Sequence, residues 1–172
     1  MKMKKRSASI GIFAIILTLF LAIPVQAKTT DIAKIMNKKV TVAAKALGFK
    51  RDYRKDKKSF VGIGPGVYRD STLMTFAAKG KYSSKRSYID AESYYRKKGG
   101  KWNAYIRDKR LSIYGVKIGM SVSKAEKKFF KNNWKKIWKG MYLKKNGQLI
   151  ILNSRNGKIT SMEYRWQMES EY

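Results

Sequence analysis

Two Asn-Gly dipeptides, Asn146-Gly147 and Asn156-Gly157, stand ten residues apart near the end of the chain. Few short sequences constrain a backbone more tightly, because both central residues of a type I′ turn need positive φ. The pair delimits three strands, Ile137–Lys145, Gln148–Arg155 and Lys158–Trp166, joined as an antiparallel meander. Closing the second hairpin on its two turn residues sets Ile151 opposite Met162 and Leu149 opposite Tyr164, giving one apolar face. Ile150 and Leu152 then point the other way, towards Glu163 and Ser161 and, on the first hairpin, Leu143 and Met141. One face must pack on helices. The other carries enough apolar area for a second core contact or a binding surface.

The helix that precedes this meander is expected over Val122–Lys131, with Val122, Ala125 and Phe129 facing inward. Ser121 is its N-cap, and Ser123 with Glu126 offers a competing capping box. Asn132-Asn133 can take the left-handed cap and return Trp134 onto the helix. Earlier, Ile32, Ile35, Met36, Val40, Ala43, Ala44 and Leu47 form one stripe over Asp31–Leu47, with Thr30 as N-cap and Gly48 as stop. Asn37 is a point at which this helix can divide. Lys50–Lys58 reads as a charged loop, Ser59–Ile63 as a strand, Gly64-Pro65-Gly66 as a turn and Thr72–Ala78 as a second strand. After a turn at Lys79-Gly80-Lys81, Ser87–Glu92 alternates as a strand. Lys97–Lys101 is a basic loop, and Asn103–Tyr114 has room for a further strand or two.

Both halves read as a helix followed by strands. The expected fold class is therefore α+β: a helix packed on an antiparallel strand meander, duplicated in tandem as units 28–102 and 103–172. Neither half alone buries much surface, so the two share a core. Tyr114–Glu126, with its Gly119-Met120-Ser121 helix opening, and Lys158–Tyr164 carry a resemblance. They are similar to small exported bacterial modules of the β-lactamase-inhibitory-protein fold and to the small lipoproteins that support outer-membrane barrel assembly. The resemblance spans mainly residues 114–166 and implies a helical hairpin packed on a strand meander, often duplicated. The chain departs from that pattern in lacking the lipid-bearing Cys and the Gly-x-Pro after the helix, so neither an inhibitor target nor an assembly role carries over.

Residues 1–27 read as a secretory signal peptide. Lys2, Lys4, Lys5 and Arg6 precede an apolar run from Ile10 to Ile23, and Val25-Gln26-Ala27 places cleavage after Ala27. The alternative is an uncleaved anchor, but the run falls short of the roughly 20 residues that cross a bilayer. Cleavage takes the formal charge from +29 to +25 and leaves 145 residues, expected outside the cell. With no Cys and no His, the chain lacks thiol nucleophiles, disulfides, imidazole bases and the usual transition-metal ligands. No cofactor, metal site or catalytic residue is expected, and the chain does not read as an enzyme. Ser121-x-x-Lys124 lacks the companion motifs of penicillin-recognising enzymes, and the Gly62, Gly64 and Gly66 spacing is not a phosphate loop. The carboxylate pairs Asp90/Glu92 and Asp52/Asp56 lie among many Lys and Arg residues, where ion pairing is their default use.

What remains is charge. Lys124, Lys127, Lys128, Lys131 and Lys135 fall on one side of the helical wheel; Lys136, Lys139, Lys144 and Lys145 extend the field, with Trp134 and Trp138 interleaved. Lys outnumbers Arg by 30 to 10. Lys is a hydrated point charge suited to diffuse polyanions, whereas base reading prefers the Arg fork, so sequence-specific nucleic acid is not an expected partner. The expectation is a secreted binding module for anionic cell-envelope polymer or anionic membrane surface. The blander reading is a solvated Lys-rich face. The alternative function is a proteinaceous inhibitor or protein-interaction module that uses Tyr142, Tyr164 and Trp166 on a sheet face, with another extracellular protein as partner. Membrane-active toxicity is a third possibility.

Overall fold

The computed structural model describes residues 29–64, 67–78, 86–144 and 147–166. The signal-peptide segment, Pro65-Gly66, the Lys79–Lys81 turn and Asn146 lie outside these described residues.

The chain enters as a two-residue strand, β1 (Thr30–Asp31), parallel to β7 (Leu111–Ser112). The long helix expected over 31–47 is divided. A 3-10 turn at Ile32–Lys34 is followed by α1 (Val40–Leu47), which ends on left-handed Gly48 at φ 69°. Two distant partners impose the break. The Asp31 carboxylate, and not Thr30, caps the turn by accepting from Ala33 N–H, and it also accepts from Tyr114 and Gly115. The Lys38 carbonyl accepts from Gly100 N–H and Trp102 Nε1, so it is not available to a helical turn. A Cβ on Gly99 would stand 2.3 Å from the Asn37 carbonyl oxygen, which is why the basic loop needs glycine where it crosses this break.

Among the described residues nine strands form one antiparallel sheet. They are β2 (Phe49–Arg51), β3 (Lys57–Gly64), β4 (Val67–Ala78), β5 (Tyr88–Glu92), β6 (Asn103–Ile106), β8 (Lys135–Trp138), β9 (Met141–Leu143), β10 (Gln148–Arg155) and β11 (Lys158–Trp166). The order is β2-β4-β5-β6-β11-β10-β9-β8, and β3 also pairs with β4. β4 has 12 residues, long enough for β3 to pair with its first half and β2 with its second. The segment expected as a charged loop thus holds the end of β2 and a 3-10 turn, Tyr53–Lys55. β6 pairs with both β5 and β11, so the sheet is continuous across residue 102.

The second half follows the Asn-Gly logic with three corrections. The first hairpin closes between Lys144 N–H and the Gln148 carbonyl, so Leu143 and Met141 face Leu149 and Ile151, not Ile150 and Leu152, and Ile150 faces Tyr142. The expected strand 137–145 is two strands folded at Lys139-Gly140, where Gly140 has φ 74° and a Cβ would lie 2.6 Å from the Leu152 carbonyl oxygen. The hairpin at Asn156-Gly157 forms with φ of 50° and 69°, but its register shifts between Asn153 and Ser154. A bulge at Thr160 makes Leu152 face Met162 and Ile150 face Tyr164, while Leu149 and Ile151 sit opposite Arg165 and Glu163. One inserted residue exchanges the two faces. Ile150, Leu152, Met162 and Tyr164 join the core cluster under the helices, whereas Leu149 is buried outside it and Ile151 is half-buried.

α2 (Val122–Lys131) begins where expected, but Ser121 makes no side-chain cap bond. Its first amide, Val122 N–H, donates instead to the Gly157 carbonyl, stitching the helix start to the β10–β11 turn. Asn133 takes the left-handed position at φ 61°, and Trp134 N–H returns to the Phe129 carbonyl as expected. One core joins α1 (Val40, Ala43, Ala44), α2 (Ala125, Phe129) and the same face of β4, β5, β6, β9, β10 and β11. The fold is α+β, two helices against a mostly antiparallel sheet.

Candidate functional site

The basic stripe follows from how α2 meets the sheet edge. Ala125 and Phe129 must be buried, so residues roughly a half-turn away on the wheel, Lys124, Lys127, Lys128 and Lys131, are all exposed. The chain then runs into β8, an edge strand whose four residues are all exposed. Lys136 therefore joins the helix lysines on one flank, whereas Lys135, in register with Leu143, lies with Trp138 on the other side of the strand, and Lys139 follows at the turn beyond it.

One carboxylate sits within this flank. Glu126 accepts from Lys136 Nζ at 2.7 Å and from Tyr142 Oη at 3.1 Å, tying α2 to β8 and β9. The Lys136 bond holds Glu126 below the usual carboxylate range, and burial followed by Glu126 raises the Tyr142 phenol, which stays a donor. Lys124, Lys127, Lys128, Lys131, Lys135 and Lys139 have no carboxylate within ion-pair distance among the described residues.

The aromatic assignments need correction. Trp134 is only 2% exposed; its ring packs on Phe129 and Tyr114, so it is a core residue and does not interleave with the surface lysines. Trp138 is 73% exposed, but it pairs in register with Met141, whereas Lys136 pairs with Tyr142. A register shift between Lys136 and Trp138 separates the two, so Trp138 projects on the far side of the edge from the α2 lysines. Two uncovered apolar groups were missed: Phe130 at 49% and Ile137 at 50% exposure. Phe130 had a signal, since adjacent Phe129 and Phe130 lie about 100° apart on a helix and cannot both face one core.

The residues proposed for protein interaction are not a surface set. Tyr142 and Tyr164 are fully buried: Tyr142 packs on Phe129, and Tyr164 donates to the Gly100 carbonyl and accepts from Gln148. Trp166 is half-buried against Tyr95 and beneath Lys101. Tyr164 lies on this face because the Thr160 bulge sets it opposite Ile150, and Tyr142 because the first hairpin pairs it with the same Ile150.

The carboxylate pairs are committed to structure. Asp52 pairs with Arg54. Asp56 accepts from Arg51 and from Thr75 N–H, which together overcome burial and hold it below the usual range. Asp90 is different. It lies on the open sheet face, accepts from Asn103 at 3.0 Å, and burial, with Glu92 nearby, raises it to about 6. Among the described residues no cluster of acidic side chains could hold a metal ion, and no helix is long and apolar enough to cross a membrane. Comparison with protein-family models, curated proteins and solved structures finds no match.

Proposed function

We propose that this chain is an exported, non-enzymatic binding module whose α2–β8 flank associates with anionic cell-envelope polymer or anionic membrane surface. One observation carries the reading. Seven exposed lysines, Lys124, Lys127, Lys128, Lys131, Lys135, Lys136 and Lys139, line one helix, the adjoining edge strand and the turn after it, and among the described residues the one carboxylate between them, Glu126, is already bonded. Exposed ammonium groups in such excess over carboxylates displace counterions from a polyanion on contact, and that release drives association. Phe130, Ile137 and Trp138 add uncovered apolar area at the same edge, suited to a headgroup region or to stacking. Because Trp138 and the α2 lysines lie on opposite sides of β8, an edge-on approach engages both.

The finer architecture belongs to the same reading. α1 is followed by β2 to β5 and α2 by β8 to β11, which supports units 28–102 and 103–172 as tandem copies meeting at β6. That arrangement agrees with the resemblance to the duplicated exported modules, and residues 1–27 support export.

Cosedimentation with vesicles of phosphatidylglycerol or phosphatidylcholine, and retention on glycerol-phosphate polymer, test the proposal. Engagement of four phosphates at once implies a ~100-fold loss of affinity between 50 and 200 mM salt. The paired substitution Lys127→Glu and Lys131→Glu lowers affinity at least as steeply. Equal retention on anionic and neutral supports at 50 mM salt disposes of the reading.

A further inference from the structure

Tyr114 and Gly115 form a two-residue turn of their own, with φ of 52° and 69°, closed by Ile113 and Val116 hydrogen bonding in both directions. Its amides belong to Asp31. Two ammonium groups stand against this turn. Lys128 Nζ lies 3.3 Å from where a Gly115 Cβ would be, so the glycine makes room for it. Lys144 Nζ lies 5.8 Å from the centre of the Tyr114 ring and 5.7 Å from that of Trp134. Neither lysine has a carboxylate within ion-pair distance among the described residues.

The third group decides what this place is for. Trp134 Nε1 is buried and has no hydrogen-bond acceptor among the described residues. An exposed ammonium is satisfied by water, but a buried indole N–H is not, and a core that leaves such a donor orphaned loses stability unless an acceptor is delivered. The other fully buried tryptophan, Trp102, gives its N–H to the Lys38 carbonyl. The contrast singles out Trp134, packed on Tyr114, as a donor held in reserve beside the turn that Lys128 and Lys144 approach.

We infer that Lys128, Lys144 and Trp134 Nε1 form a site for one tetrahedral oxyanion, a phosphate group of the anionic ligand. The inference rests on the proposal that this flank binds anions, and it adds a discrete contact to a diffuse field. Lys144 covers the rings, so it must exchange their faces for the phosphate oxygens as the anion enters. Two charged donors and one neutral one match the several acceptor oxygens of a phosphate, which a halide lacks.

The test follows the four indole N–H resonances of the 15N-labelled secreted form, with Trp134 assigned through Trp134→Phe, during titration with inorganic phosphate against chloride at constant ionic strength. The expected result is a saturable shift of the Trp134 signal with little change at Trp102. Lys128→Gln and Lys144→Gln each weaken the midpoint at least tenfold, Lys144→Arg restores most of it, and Lys109→Gln changes nothing. A shift that fails to saturate, or that is the same in wild type and both Gln variants, marks an adventitious ion only and overturns the site. Phosphatidylglycerol vesicles and soluble glycerol-phosphate polymer, compared at equal phosphate, identify the source by which of them reproduces the shift. The readouts are separable. Vesicle and polymer retention without the Trp134 shift overturns this site alone, whereas the shift without salt-dependent retention overturns the surface reading alone.

Discussion

At the scale of single residues, two aspartates show how a scarce acid is used in a basic chain. Asp31 accepts three backbone N–H groups, from Ala33, Tyr114 and Gly115, and so joins the chain entry to a turn more than eighty residues on. Hydrogen bonds to a charged acceptor contribute about 1.5–3 kcal/mol each, less when they share one carboxylate. Asp31→Ala is therefore expected to destabilise by about 3 kcal/mol in urea titration, and Asp31→Asn by less. A loss under about 1 kcal/mol for the alanine variant means that water replaces the carboxylate and the tie is weak. Asp90 acts in the opposite sense. Its carboxyl is raised to about 6 by burial, from an ordinary 3.8. Between pH 4 and pH 6 the folded chain holds a proton that the unfolded chain has released, so Asp90 makes stability fall as pH rises through that window. Asp90→Asn keeps an acceptor for Asn103 and removes the titration. The variant is expected to gain on the order of 2 kcal/mol over wild type at pH 7 and nothing at pH 4, read as the difference between their urea midpoints. A difference that does not change with pH shows that Asp90 titrates normally.

At the scale of elements, the legible parts were those set by local chemistry. Asn156-Gly157 specified its hairpin because positive φ at two successive residues is a local demand, and Gly48 and Asn133 ended their helices for the same reason. The parts that were not legible depended on partners far along the chain. The first helix broke because Asp31 and the Lys38 carbonyl bond to residues 100–115. β2 lay hidden because its three residues have meaning only beside the second half of β4. The Thr160 bulge reversed the faces of the last hairpin and with them the status of Tyr164, while the register of the first hairpin, with Ile150 opposite Tyr142, decided that of Tyr142. The lysine stripe was readable from helical spacing, whereas Trp134 could be assigned to the core only once the face covered by α2 was known. Gly140 separates the edge hairpin from β10 by a distance no side chain permits. Gly140→Ala meets both a left-handed φ and the Leu152 carbonyl oxygen, while Gly157→Ala meets only the φ. Strain at φ alone costs about 1 kcal/mol, so Gly140→Ala is expected to lose clearly more, about 2–4 kcal/mol, with amide exchange of β8 and β9 accelerated ahead of β11. Equal losses in the two variants indicate that the Gly140 contact relaxes freely.

At the scale of the whole molecule, one quantity, the excess of positive charge, acts with opposite sign on folding and on the proposed binding. A sheet of eight laterally ordered strands spans about 34 Å, from seven spacings of about 4.8 Å. The Debye length is about 30 Å at 10 mM salt and about 10 Å at 100 mM. At the lower salt, lysines on β8 and bases near β2 repel one another across the entire sheet; at the higher salt each flank is isolated. Forty basic residues against eleven acids make repulsion the dominant long-range term, because ion pairs such as Arg51–Asp56 and Lys136–Glu126 leave most bases uncompensated. Added sodium chloride is therefore expected to raise the urea midpoint between 10 and 100 mM while it lowers retention on anionic vesicles over the same range. A general salt effect on hydrophobic burial would raise the midpoint too, but it would grow beyond 100 mM, whereas screening levels off once the Debye length is a small fraction of the sheet width. Midpoints that decline over this interval indicate that the chain's few carboxylates govern its field, and the flank then loses the charge excess on which the proposed binding depends.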